Sequence, residues 1–127
     1  MTPESVIEQW AQYFNNGDLD GISKLYHSDS TLLPTFMPVL MNSREQIIGY
    51  FSSAIEGKAS INVNVETSIK TELSANTYLM TGSYVFCLPS KGGERYESWY
   101  SFVIDVSDES PIIHHHSSRL PFDFDLS

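Results

Sequence analysis

The sequence predicts an α+β domain in which three helices precede an antiparallel sheet. Two observations carry that expectation. Capped segments with apolar residues at helical spacing fill residues 1–57, and from residue 60 onward the apolar period shortens to two. Helices followed by a run of strands is the α+β order. One face of the strands carries too many large apolar groups to meet water, so the sheet must curl or be covered.

Thr2-Pro3-Glu4 opens the first helix with a hydroxyl cap, a proline where no amide partner is needed, and an acid near the positive helix end. Val6, Trp10, Tyr13 and Phe14 then define one apolar face, and Asn15-Asn16-Gly17 stops the helix because Gly17 can take the left-handed cap geometry. Asp18 caps a second, shorter helix carrying Leu19, Ile22, Leu25 and Tyr26. A loop or short extended stretch is expected through Thr31-Leu32-Leu33-Pro34 to Pro38. Ser43 and Gln46 form a capping-box pattern that opens a third helix with Ile47, Ile48, Tyr50, Phe51 and Ile55, closed at Gly57.

Ile61, Val63 and Val65 alternate with Asn62, Asn64 and Glu66, the pattern of a half-exposed strand. Residues 77–88 and 94–106 give two longer strands around the turn Pro89-Ser90-Lys91-Gly92-Gly93. A last strand starts at Pro111 and holds His114, His115 and His116. The tail, residues 120–127, alternates aromatic and acidic side chains; it either frays or extends the last strand against a partner. No repeat or linker divides residues 1–127, which read as a single domain.

Sixteen acidic against seven basic residues give a net charge of −9, with no Lys or Arg cluster. Nucleic acid and anionic membrane need a basic face, so neither is an expected partner. The lone Cys87 fits a reducing compartment and reads as a packing residue. Neither a secretory leader nor an apolar run of membrane length is present, so a cytoplasmic protein is expected.

The histidine run is the best candidate for chemistry. Strand alternation sends His114 and His116 to one face, and Ile113, His115 and Ser117 to the other. In the functional reading, His115 is a pocket base or hydrogen-bond donor with Ser117 beside it. In the plainer one, the histidines and serines hydrogen-bond across the sheet and to a sheet partner. His114 and His116 are two possible metal ligands, and Asp105 or Glu97 is the nearest source of a third. No spacing rule supplies it, so no metal or cofactor is expected. The pairs Asp18-Asp20 and Asp108-Glu109 belong to a cap and a loop.

Trp10 with Phe14-Asn15-Asn16-Gly17-Asp18 and Leu25-Tyr26, then Ser43-Arg44-Glu45-Gln46-Ile47, then His114-His115-His116-Ser117-Ser118-Arg119-Leu120-Pro121 resemble the nuclear-transport-factor-2-like superfamily. Within it the chain is most similar to SnoaL-like proteins related to the association domain of calcium/calmodulin-dependent protein kinase II. The resemblance implies a cone: a strongly bent antiparallel sheet wrapped around three N-terminal helices, with a pocket at the open end. It also implies pairing through the sheet, with higher oligomers among the kinase relatives. Arginines line the pocket of the kinase domain and suit a carboxylate. The corresponding positions fall near Thr81, Phe102 and Ser117, none of them basic.

The expected site is therefore an aromatic-walled pocket for a small apolar or aromatic molecule, lined by Trp10, Phe14, Tyr26, Phe51, Tyr100, Phe102, His115 and Ser117. Homodimerisation is expected through the outer sheet face, with Tyr84, Tyr96 or Trp99 and the outward histidines at the contact, because an exposed aromatic asks for cover. The enzyme alternative is a small isomerase, cyclase or dehydratase using a pocket His or Asp as general base, with His115 the catalytic candidate. A module whose function is assembly is the third reading.

Overall fold

The computed structural model describes residues 1–121. Its elements run α1 (Pro3–Asn15), α2 (Leu19–Leu25), β1 (Tyr26–Leu33), α3 (Arg44–Glu56), β2 (Ser60–Glu72), β3 (Thr77–Leu88), a 3-10 turn (Pro89–Lys91), β4 (Glu94–Asp105) and β5 (Ile112–Arg119). The sheet order is β1-β5-β4-β3-β2. The three helices and the later strands follow the predicted order, with β1 inserted between α2 and α3, and the sheet is open, with β1 and β2 at its edges.

The helix boundaries follow local chemistry. Thr2 and Ser5 cap α1 reciprocally, each side chain bonding the other's backbone. Gly17 takes a positive φ of 69° after α1, the conformation that costs glycine least. Ser43 accepts from the Gln46 amide at the start of α3. At the other end the left-handed residue is Lys58, not Gly57, which keeps a negative φ. Asn15 pins the end of α1 to β2 by pairing with both backbone groups of Ile61, at 2.7 and 2.9 Å.

Three features depart from the sequence expectation. The stretch expected as a loop or short extended segment contributes only residues 31–33 to an eight-residue strand that starts earlier, and Tyr26 is its first residue rather than the end of α2. Residues 27–30 are His-Ser-Asp-Ser, so no apolar alternation marks the strand; pairing with β5, far along the chain, creates it. That pairing is parallel, which makes the five-stranded sheet mixed, while the other three pairs are antiparallel. Finally, the register slips where Val103 and Ile104 face His114 and Ile112. This bulge takes Ile113 off the inner face, so Ile112 joins His115 and Ser117 inside.

The inner sheet face meets the helices in one core. Trp10, Phe14 and Ile22 from the helices pack with Phe51 of α3 and with Met80, Tyr84, Phe102 and Ile104 of the sheet. Burying a side chain such as Phe51 or Phe102 stabilises the fold by roughly 1.5–3 kcal/mol. Arg44 ties α3 to the strand edge by donating from Nη2 to the Tyr26 carbonyl at 2.8 Å. Residues 122–127, most of the tail expected to fray or pair, lie outside the described residues.

Candidate functional site

His115 is the largest of the few buried polar side chains among the described residues. It is only 2% exposed, yet both its ring nitrogens have partners. Tyr26 Oη lies 2.8 Å from Nδ1 and Tyr84 Oη lies 2.9 Å from Nε2. Trp10 donates its indole N–H to Tyr26 Oη at 3.1 Å. Phe102 stacks on the imidazole with centroids 3.9 Å apart, and Trp10 meets it edge-on at 5.4 Å. β5 supplies the histidine, β1 and β3 the phenols, and α1 the indole, so four elements converge on one ring.

Protonation follows from this setting. Burial holds the imidazole well below its ordinary pKa, and the neighbouring His114 and His116 push in the same direction. Burial likewise raises the phenols of Tyr26 and Tyr84. The cluster is neutral, and a neutral imidazole has one donor and one acceptor. Tyr26 already accepts from Trp10, so its own proton is placed to go to Nδ1. The His115 Nε2–H then donates to Tyr84. The Tyr84 hydroxyl is also hydrogen-bonded to Ser117, which meets Thr35 Oγ1. This tautomer is assigned by satisfying every donor; the reverse one leaves the buried Tyr26 proton without an acceptor.

Chemically, the arrangement is saturated. No carboxylate hydrogen-bonds His115 among the described residues, and neither ring nitrogen has a free lone pair or proton for a substrate. Of the expected pocket residues, Trp10, Phe14, Tyr26, Phe51, Phe102, His115 and Ser117 do come together, but against one another. Tyr84 belongs to this cluster as well. It is fully buried and cannot serve the outer-face contact expected of it. Counting two residues back from Phe86 or Phe102 along β3 and β4 marks Tyr84 and Tyr100 as inward, a signal available from alternation alone.

Open volume lies elsewhere. A cleft of about 590 Å³ runs between α1 and the sheet. Its buried floor is Ile7 of α1, Met80 of β3 and Tyr100 of β4, with half-buried Ala11 and Val63 on its sides. Glu4 and Glu8, both exposed, stand at the mouth. Tyr100 alone among the expected pocket residues lines it. Its ring folds over Gly82, its cross-strand partner, so closely that a Cβ there would sit 2.6 Å from Tyr100 Oη. The Tyr100 side chain is 2% exposed, and its hydroxyl has no hydrogen-bond partner among the described residues. Sequence reasoning missed Ile7 and Ala11. Their spacing of four beside the Trp10–Phe14 stripe was the available sign of a wider apolar face.

The remaining candidates separate. His114 Nδ1 meets Thr31 Oγ1 on β1 at 2.6 Å, and burial lowers its pKa. His116 is exposed. Val103 and Ser101, not Asp105 or Glu97, face these two histidines, and no three His, Cys, Asp or Glu side chains converge as a metal set among the described residues. Trp99 is 50% exposed on the outer face, and Tyr96 is half-buried with Arg119 over its ring.

Comparison with known proteins meets this geometry at the level of family. Residues 4–121 match the calcium/calmodulin dependent protein kinase II association domain. The chain belongs to that family. An association-domain protein of Xanthomonas campestris, so designated provisionally, is 30% identical with a TM-score of 0.82, over 93% of this chain and 85% of its own. Two more distant structures share the fold. One is described as a proposed dehydratase of the NTF2-like family from Streptomyces avermitilis, with 11% identity, a TM-score of 0.81 and 94% of each chain covered. The other is the Orange Carotenoid Protein of Anabaena binding canthaxanthin, with 13% identity and a TM-score of 0.78 over 94% of this chain and 36% of that one. No curated protein matches the sequence. For an association-domain fold that hosts such different neighbours, the site and not the fold must carry the functional reading. No helix is long and apolar enough to cross a membrane among the described residues.

Proposed function

We propose that this association-domain protein is a cytoplasmic homodimer that binds a small apolar or aromatic molecule in the cleft between α1 and the sheet, without acid–base catalysis at His115. One observation carries the reading: the cavity with an apolar floor and a free hydroxyl is separate from the histidine, whose two nitrogens are already occupied. A mostly apolar concavity with few polar groups is how small-molecule sites are built, and about 590 Å³ falls within their range. Of the expected aromatic wall, Tyr100 is the member that lines this cleft, and Phe102 packs against its ring from within the core. The outer face bearing half-exposed Trp99 and His116 is the surface for pairing.

Filling the cleft tests the reading. Ala11 is half-buried on its wall, and Ala11→Trp places an indole in the cavity. A thermal-shift screen with small aromatic compounds is expected to find ligands that raise the melting temperature of the wild type and not of Ala11→Trp. Equal shifts in both proteins would place the ligands elsewhere and end the reading.

The enzyme alternative has its own supporting observation, since a neutral histidine between two phenols is suitable material for a proton relay. It requires Tyr26 or Tyr84 to move aside and admit a substrate. Turnover of a cyclisable or dehydratable substrate that His115→Gln abolishes, while the fold survives, would favour it over simple binding.

A further inference from the structure

The charges around the cleft narrow its occupant, on the premise that the cleft is the binding site. Glu4 and Glu8 are one turn apart on α1 and therefore share a face. Among the described residues, no Lys or Arg lines the cavity. The nearest compensation is Lys70, whose Nζ lies 3.3 Å from Glu4. Glu8 has neither an ion pair nor a hydrogen bond among the described residues. It is the unused charge at the mouth.

A second, independent feature lies at the floor. Tyr100 is a largely buried residue whose hydroxyl has no hydrogen-bond partner among the described residues and, unlike Ser30 Oγ, is not sealed off as an atom. Burial raises its pKa, so it stays a neutral donor and acceptor. A polar group in such a setting is ordinarily completed by water or by a ligand atom. Beside that hydroxyl, Ile7 and Met80 on the floor and Ala11 and Val63 on the sides offer only apolar contact. The lining thus reads as an apolar slot with the Tyr100 hydroxyl at its floor and the Glu4 and Glu8 carboxylates at its mouth; the Ser68 hydroxyl on its side is already spent on the Val65 carbonyl.

We infer that the cleft is a site for a small apolar or aromatic amine, its body in the slot and its protonated nitrogen toward Glu8. An anion of the same shape would meet Glu8 and Glu4 as like charges, and the chain's net charge of −9 opposes its approach as well. A cation gains from both.

Three probes that share a phenyl ring test this by calorimetric titration: 2-phenylethylamine, 2-phenylethanol and phenylacetate. The amine is expected to bind about two- to fivefold more tightly than the alcohol, the effect of one exposed ion pair, with the advantage shrinking as salt is added. Phenylacetate is expected to be weakest. Glu8→Gln, a substitution at an exposed position, should bring the amine level with the alcohol and leave the alcohol unchanged. Phenylacetate binding as tightly as the amine, or an amine advantage that persists in Glu8→Gln, overturns the charge assignment while leaving the cleft a binding site. If none of the three binds the wild type, the small-molecule reading falls with it.

Discussion

Tyr84 and Tyr100 sit on neighbouring strands of the same inner face with their rings 5.0 Å apart, yet their hydroxyls live in opposite circumstances. Tyr84 is held by His115 and Ser117 in a neutral, sealed cluster; Tyr100 reaches a cleft and has no hydrogen-bond partner among the described residues. The first region spends its hydrogen-bonding capacity on itself, and the second keeps one group and one carboxylate unspent. What a buried polar group can do for a ligand depends on its unused donors and acceptors, not on its residue type. A histidine is ordinarily the better chemical candidate than a tyrosine, and here that order is reversed.

The strongest way to break this comparison is His115→Ala. It leaves Tyr26 and Tyr84 without their shared partner and opens a void beside Phe102, so a loss of about 3–5 kcal/mol in urea unfolding is expected. A loss within 0.5 kcal/mol, roughly that of a bland surface change, would show that the cluster does not hold the core together. The same variant tests the charge state. His115 has a lower pKa folded than unfolded, so the unfolded chain binds the extra proton. Stability is fully present above the unfolded value of about 6.5 and declines below it, with a slope approaching about 1.4 kcal/mol per pH unit. His114 adds to the decline in the same sense. His115→Ala should flatten most of that slope; an unchanged acid profile would mean that another group controls it.

Removing single hydroxyls sharpens the comparison further. Tyr84→Phe strands the His115 Nε2 proton and is expected to cost about 1–3 kcal/mol. Tyr100→Phe removes a group with no partner and should stay within about 0.5 kcal/mol, or stabilise. Equal losses in chemical denaturation would erase the distinction between the two regions. The smallest effect on the monomer is expected from Trp99→Ala, outside both. Being half-exposed, it should leave stability within about 0.5 kcal/mol while shifting the sedimentation of the protein from dimer toward monomer. An unchanged dimer would take Trp99 out of the pairing surface.

Most of the fold was legible because its signals are local. Caps at Thr2, Asp18 and Ser43, the change of period near residue 60 and the Pro89–Gly93 turn each act within a few residues. β1 was not legible, since the polar stretch from His27 to Ser30 becomes a strand only through β5. The bulge that removes Ile113 from the inner face is equally a property of the β4–β5 pair rather than of β5. For the site, alternation correctly turned His115 and Ser117 inward. It could not tell a filled interior from a hollow one, because aromatic size and spacing look the same in both. That difference is set by how α1 sits against the sheet, which leaves Ile7 and Ala11 facing space while Trp10 and Phe14 fill it.

The parallel pairing of β1 with β5 has a consequence in time as well as in space. β5 runs through residues 112–119 and is the last strand of the sheet in chain order, but its neighbour on one side begins at residue 26. Until it docks, Tyr26, Tyr84 and Trp10 lack the ring that joins them, and β1 has no ladder. Contacts this far apart in sequence form late and slowly. The histidine therefore closes the domain as a keystone closes an arch: amide exchange should find β1 and β5 protected in the same kinetic step, after the β2–β4 meander.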